Sequence, residues 1–204
     1  MLFRSNYGLE AEMKLQDALP CGVTVDGKYY RLDLDFRNVL RMLDYLGRSD
    51  MLTEAREYNA LRCVMRRPKN VSKVLDAVRS MLFQKQPKTD AKKVTDFIQD
   101  APMIRAAFRQ AYGIDLYRDR LHWIEFTELL NALPDDTRYT YVVGIRARPM
   151  PPATKWNAEE RTWLMKAKAD VALFASEEER EANYQRDVAN IAAAILAWAG
   201  EKNE

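Results

Sequence analysis

Residues 23–47 read VTVDGKYYRLDLDFRNVLRMLDYLG, and this stretch decides the fold. Its first half sets two short runs of β-formers, Val23-Thr24-Val25 and Lys28-Tyr29-Tyr30-Arg31-Leu32, on either side of Asp26-Gly27. Asp-Gly supplies two residues that tolerate positive φ, which a two-residue hairpin turn requires. The period then changes. Asp35 suits an N-cap, and Phe36, Val39, Leu40, Leu43 and Leu46 recur at helical spacing to make one apolar face. Gly47 stands where a C-terminal glycine would close that helix. The expected fold is mainly α: an N-terminal β-hairpin followed by a multi-helix bundle and C-terminal helices.

On the N-terminal side, Leu2, Leu9, Met13 and Leu15 give residues 1–18 a weak helical pattern, expected to be an arm that Leu19-Pro20 stops. Downstream, a helix is expected over 53–65, capped by Thr53 and ended before Pro68. Another is expected over 71–83, with Val71, Val74, Leu75, Val78 and Leu82 inward. The polar run QKQPKTDAKK at 84–93 is the best internal linker candidate. Val94, Phe97, Ile98, Met103, Ile104, Ala107, Phe108 and Ala111 suggest two consecutive helical pieces, the second starting at Asp100 or Ala101 with Pro102 in its first turn. Tyr112-Gly113-Ile114-Asp115-Leu116 breaks the pattern, and a further helix is expected over 118–132. Residues 138–145 read both ways, since Tyr, Thr and Val favour a strand while Asp135-Asp136-Thr137 offers a helix cap. Helices over 159–174 and 177–198 close the chain, the second with Ser176 and Glu179 as a capping box. The expected organisation is an arm at 1–18, a helical domain with its hairpin at 19–146, and a C-terminal helical segment at 147–204, packed on the domain or used for partner binding.

Composition narrows the function. The 204 residues are 48% hydrophobic, enough for a sizeable core, and 30% charged with 7 glycines, a balance that favours helices over sandwiches or disorder. A formal net charge of +2 gives no overall drive toward nucleic acid or an anionic membrane. Met1–Tyr7 lacks the basic start and apolar run of a signal peptide, and Val188–Ala199 falls well short of the roughly 20 apolar residues of a membrane span. Cys21 and Cys63, without CxxC spacing, read as reduced thiols of a cytosolic protein.

The chemistry is thin. His122 is the single histidine, which removes most metal and acid–base architectures, and it reads as a structural residue beside Trp123. No nucleophile elbow, Walker loop or Gly-x-Gly-x-x-Gly is present. Asp96, Asp100 and Asp115 are explained by capping and turn roles. The expectation is a protein that is not an enzyme, with no cofactor, no metal and no catalytic residue. Arg62, Arg66, Arg67, Lys69 and Lys73 cluster around Pro68 without interleaved aromatics for base stacking, and read as a solvated helix junction. Val188, Ile191, Ile195 and Trp198 form a narrow apolar stripe on an Ala-rich helix, the candidate partner-binding or self-association face.

The middle of the chain carries a more specific signal. Asp96-Phe97-x-Gln99-Asp100-Ala101, Ile104, Ala107-Phe108, Tyr112-Gly113-Ile114-Asp115-Leu116, Leu121-His122-Trp123, Phe126, Leu130, Leu133-Pro134-Asp135-Asp136-Thr137 and Gly144-x-Arg146 follow one another. Together with Val25-Asp26-Gly27-Lys28 and Asp35-Phe36-Arg37, this run over residues 19–146 resembles the bacteriophage gene-product-fifteen family of siphophage tail-region proteins. The chain departs from the family pattern at Ile124, where a second aromatic is expected after Leu-His-Trp, and the first dozen residues and those after about 150 lie outside the match. The resemblance implies a phage or prophage tail assembly chaperone in the bacterial cytoplasm. Its partners would be the tape measure protein, with the major tail protein and further copies of itself as additional ones, and neither membrane nor nucleic acid. The alternatives are a structural component retained in the tail and a DNA-binding phage regulator that uses the basic cluster. Most of the shared residues read as structural: Phe97, Ile104, Phe108, Trp123 and Phe126 as core, Gly113 as a helix end, Pro134 and Asp135 as a restart.

Overall fold

The computed structural model describes residues 15–83 and 93–174, together with Gln185 and Val188. Strands β1 (Gly22–Val25) and β2 (Lys28–Arg31) pair antiparallel with Val25 opposite Lys28. Asp26 at φ 50° and Gly27 at φ 74° make the turn, as the Asp-Gly pair requires. The described helices are α1 (Phe36–Gly47), α2 (Thr53–Val64), α3 (Val71–Leu82), α4 (Ala101–Tyr112), α5 (Trp123–Asn131), α6 (Arg138–Ala147) and α7 (Ala158–Asp170). The chain is therefore mainly α with an N-terminal hairpin, as its periodicity predicts.

Local chemistry sets most boundaries. Asp35 caps α1, its Oδ1 accepting the Arg37 N–H at 3.0 Å. Thr137 caps α6 by accepting the Thr140 N–H at 3.2 Å, and this cap resolves the ambiguous 138–145 segment as helix. Gly113, at φ 70°, ends α4.

Five details differ from expectation. Gly47 is the last helical residue and is not left-handed, because extended Arg48 ends α1. Thr53 is the first residue of α2 and caps nothing, the N-cap position being Leu52. Residues 118–122 stay outside α5, which starts at Trp123 because His122 takes the cap. Residues 97–100 form a turn, not a helix, and Ile98 is exposed. Met42, absent from the predicted apolar face of α1, is fully buried, while Leu40, Leu43 and Leu46 are half-buried.

The chain divides into two compact units, Met1–Asp90 with Phe108–Pro134 and Ala91–Ala107 with Asp135–Glu204. In the first, α1 packs on α2 and α5, α2 on α3, and α3 on β1. Its core is aromatic at one point: Phe126 stacks between Phe36 (4.6 Å) and Phe108 (5.3 Å). Two backbone bonds tie the starts of α1 and α5 together, Phe36 N–H to Leu121 O (3.0 Å) and Trp123 N–H to Leu34 O (2.8 Å), bridging Asp35 and His122. In the second unit α6 packs on α7, burying Tyr139, Val142, Val143, Ile145 and Leu164.

Residues 1–14 of the expected arm, 84–92 of the expected linker and all but Gln185 and Val188 of the expected helix over 177–198 lie outside the described residues. Among the described residues no helix is long and apolar enough to cross a membrane.

Candidate partner-binding surfaces

The motif residues that distinguish the sequence build scaffold. Asp100 is fully buried and faces Arg146, whose Nη1 donates to both carboxylate oxygens at 2.9 and 2.7 Å. The same guanidinium reaches Val94 O (3.2 Å) and Val171 O (2.5 Å), so one side chain joins three segments of the second unit. Gln99 adds a two-way link, donating to Ala172 O (2.8 Å) and accepting from the Phe174 N–H (3.0 Å). Asp96 closes the turn by accepting from the Ile98 and Gln99 amides at 2.8 and 2.9 Å. Burial works against its charge, but the bonds from Lys93 and those amides outweigh it and hold the carboxyl at a pKa of about 2. Phe97, expected in the core, is only half-buried on this turn.

The other motif residues serve the first unit. Asp115 accepts from the Tyr117 amide (3.0 Å) and pairs with Arg109, fixing the loop after α4. Tyr112 donates its hydroxyl to Leu129 O at 2.9 Å. His122 Nδ1 accepts the Ile124 N–H (3.1 Å), while Nε2 lies 2.9 Å from Pro20 O. A carbonyl only accepts, so the proton sits on Nε2 and the ring is neutral. Burial lowers its pKa further from neutrality. Phe108, Trp123 and Phe126 are buried and Pro134 is exposed, while Ile104 is buried in the second unit.

Sequence reasoning missed an ionic cluster beside the hairpin. Asp35, nearly buried, takes Arg37 Nε at 3.0 Å and Arg120 Nε at 3.3 Å, and Arg120 also grips Asp33 at 2.8 Å. Burial pushes the Asp35 carboxyl up, but the Arg37 bonds and both positive charges hold it below its ordinary value. Arg120 lies in the interval between two recognisable motifs, and only the fold brings it to Asp33. Among the described residues no group of three or more His, Cys, Asp or Glu side chains is placed to hold a metal ion. Cys21 and Cys63 are free thiols.

Two surfaces remain as candidates for contact. Of the predicted stripe, Val188 is helical and 45% exposed, while Ile191, Ile195 and Trp198 lie outside the described residues. Large apolar side chains are also exposed on more than one side of α7. That helix buries Leu164 and leaves Trp163 (50%) and Met165 (58%) in solvent, with Trp156 (86%) just before it. Single exposed apolar residues are ordinary, but two tryptophans and a methionine within ten positions are not. The basic residues Arg62, Arg66, Arg67 and Lys69 are exposed, and Lys73 pairs with Asp26 at 2.7 Å.

Comparison with known proteins gives one finding: the family model described as Bacteriophage Gp15 protein matches residues 15–173. No curated protein and no solved structure matches the chain.

Proposed function

The chain belongs to the Bacteriophage Gp15 protein family, and on that footing we propose that it is a tail assembly chaperone. It would bind the tape measure protein in the host cytoplasm and keep it soluble while tail tube subunits polymerise around it. The reading is one of binding without catalysis, and the major tail protein would be the partner that displaces it. The observation that carries it is the solvent-facing set Trp156, Trp163 and Met165 at α7. A long apolar helix needs cover of this kind, since burying one large apolar side chain contributes on the order of 2 kcal/mol. Contacts of that size are individually weak, but many copies on one long chain add up. A near-balanced net charge of +2 allows release without electrostatic trapping.

The test is co-expression with the tape measure protein of the same phage or prophage, followed by pull-down and size exclusion with light scattering. The expected result is a soluble complex holding many copies per tape measure chain, and fewer copies when Trp163 and Met165 are both changed to Ser. A tape measure that still aggregates while this protein elutes alone would overturn the proposal. Mass spectrometry of purified particles separates a chaperone, which is absent from them, from a retained tail component.

A further inference from the structure

A cleft of about 500 Å³ opens in the first unit between the end of β2 and the residues that follow α2. Its lining is of two kinds. Leu32, Val64 and Met65 are buried and form an apolar floor, while Arg31, Arg66 and Arg120 are exposed around it. Arg120 is engaged with Asp33 and Asp35, but neither Arg31 nor Arg66 forms an ion pair or hydrogen bond among the described residues. Two positive charges are therefore left over after the one acidic residue in the lining, Asp33, has been neutralised.

The backbone adds direction. Val25 pairs with Lys28 and Val23 with Tyr30, and Leu32 N–H donates to Cys21 O at 2.8 Å. By the alternation of an antiparallel ladder, the N–H and C=O of Arg31 point away from β1. That is the side on which Asp33 N–H reaches Val64 O at 2.8 Å. This bond is the one backbone link between residues 31–33 and 64–66 among the described residues, and beyond it the two segments part to leave the cleft. The strand edge at Arg31 is thus free to pair with an added extended chain.

We propose that this cleft between β2 and the end of α2 is a docking site for an extended acidic segment of a partner protein, held by Arg31 and Arg66. Its carboxylates meet the two unneutralised guanidiniums, its alternate apolar side chains rest on Leu32 and Met65, and its backbone pairs with Arg31. Nucleic acid fits less well, because the floor is apolar and the lining holds no aromatic ring on which a base could stack. The site uses none of the α7 residues, so its failure and that of the chaperone reading are independent.

The test is fluorescence anisotropy with the full chain and a short labelled peptide alternating glutamate and valine. Its lysine-for-glutamate counterpart and a labelled DNA duplex are run in parallel. The acidic peptide is expected to bind and to weaken as salt is raised. Arg31→Glu with Arg66→Glu should weaken it at least about tenfold, Arg31→Gln with Arg66→Gln less so, and Arg67→Glu, an exposed neighbour outside the lining, within about twofold. Circular dichroism confirms that each variant is folded. No binding of the acidic peptide, equal binding of the lysine peptide, unchanged affinity in the folded charge-reversed variant, or tighter binding of the duplex would each overturn the proposal.

Discussion

Arg146 presents one guanidinium nitrogen to both oxygens of Asp100, in a pair whose side chains are 7% and 0% exposed. Such a pair gains little over an apolar replacement, yet losing one member strands the other charge without water. Asp100→Leu or Arg146→Met alone is expected to destabilise the second unit by about 3–5 kcal/mol, and the double variant by clearly less. Urea unfolding of the three variants measures the coupling. Additive losses would mean that the two side chains do not act on one another.

Phe126 lies between Phe36 and Phe108, and truncating it removes both stacks at once. Phe126→Ala should cost about 3–5 kcal/mol, and Phe126→Leu appreciably less. Equal losses in denaturant midpoint for the two would show that the site collapses around any apolar residue.

The neutral ring of His122 gives a pH dependence. Its folded pKa is lowered by burial, so the unfolded chain takes up the proton first as pH falls. The contribution is complete above an unfolded value of about 6.5 and is lost on acidification toward the lower folded value. Melting between pH 7 and pH 5 should fall for the native chain and flatten in His122→Asn, which can still accept from Ile124 but does not titrate. Parallel slopes in the two proteins would assign the dependence to other groups.

Two glycines should respond oppositely to alanine. Gly113 sits at φ 70°, where a Cβ costs about 1–2 kcal/mol. Gly47 is helical, with open space where its Cβ would be, so alanine should stabilise by up to about 1 kcal/mol. Thermal melts of both variants settle the signs.

The contrast between these glycines marks what was legible. Both occupy places where helices end, but only backbone geometry separates a left-handed residue from a last helical one. The hairpin could be read because Asp26-Gly27 encodes its own turn, and α1 because Asp35 stands at the change of period. The segment 138–145 could not, because its β-branched and aromatic residues oppose helix propensity. Burial of Tyr139, Val142, Val143 and Ile145 on one side of α6 overrides that preference. The Arg146–Asp100 pair is visible only as two separate motif residues, since they stand 46 positions apart. Arg120 gave no signal at all. Nothing in the sequence marks Trp156 and Trp163 as exposed, because composition and spacing do not distinguish a core tryptophan from one in solvent.

The Asp35–His122 bridge has a consequence for how the protein is made. The amide of Phe36 has its acceptor, Leu121 O, on a segment synthesised much later, so the first turn of α1 gains this partner only after residue 121 has been made. By then residues 91–107 of the other unit have already emerged, and that unit still lacks everything from Asp135 onward. The two units are interleaved in the order of translation, and neither corresponds to an unbroken run of the gene. Deletions from either end therefore do not yield one intact unit: a fragment stopping at Asp90 lacks the aromatic stack, and one starting at Asp135 lacks Asp100, the only buried partner of Arg146's charge among the described residues.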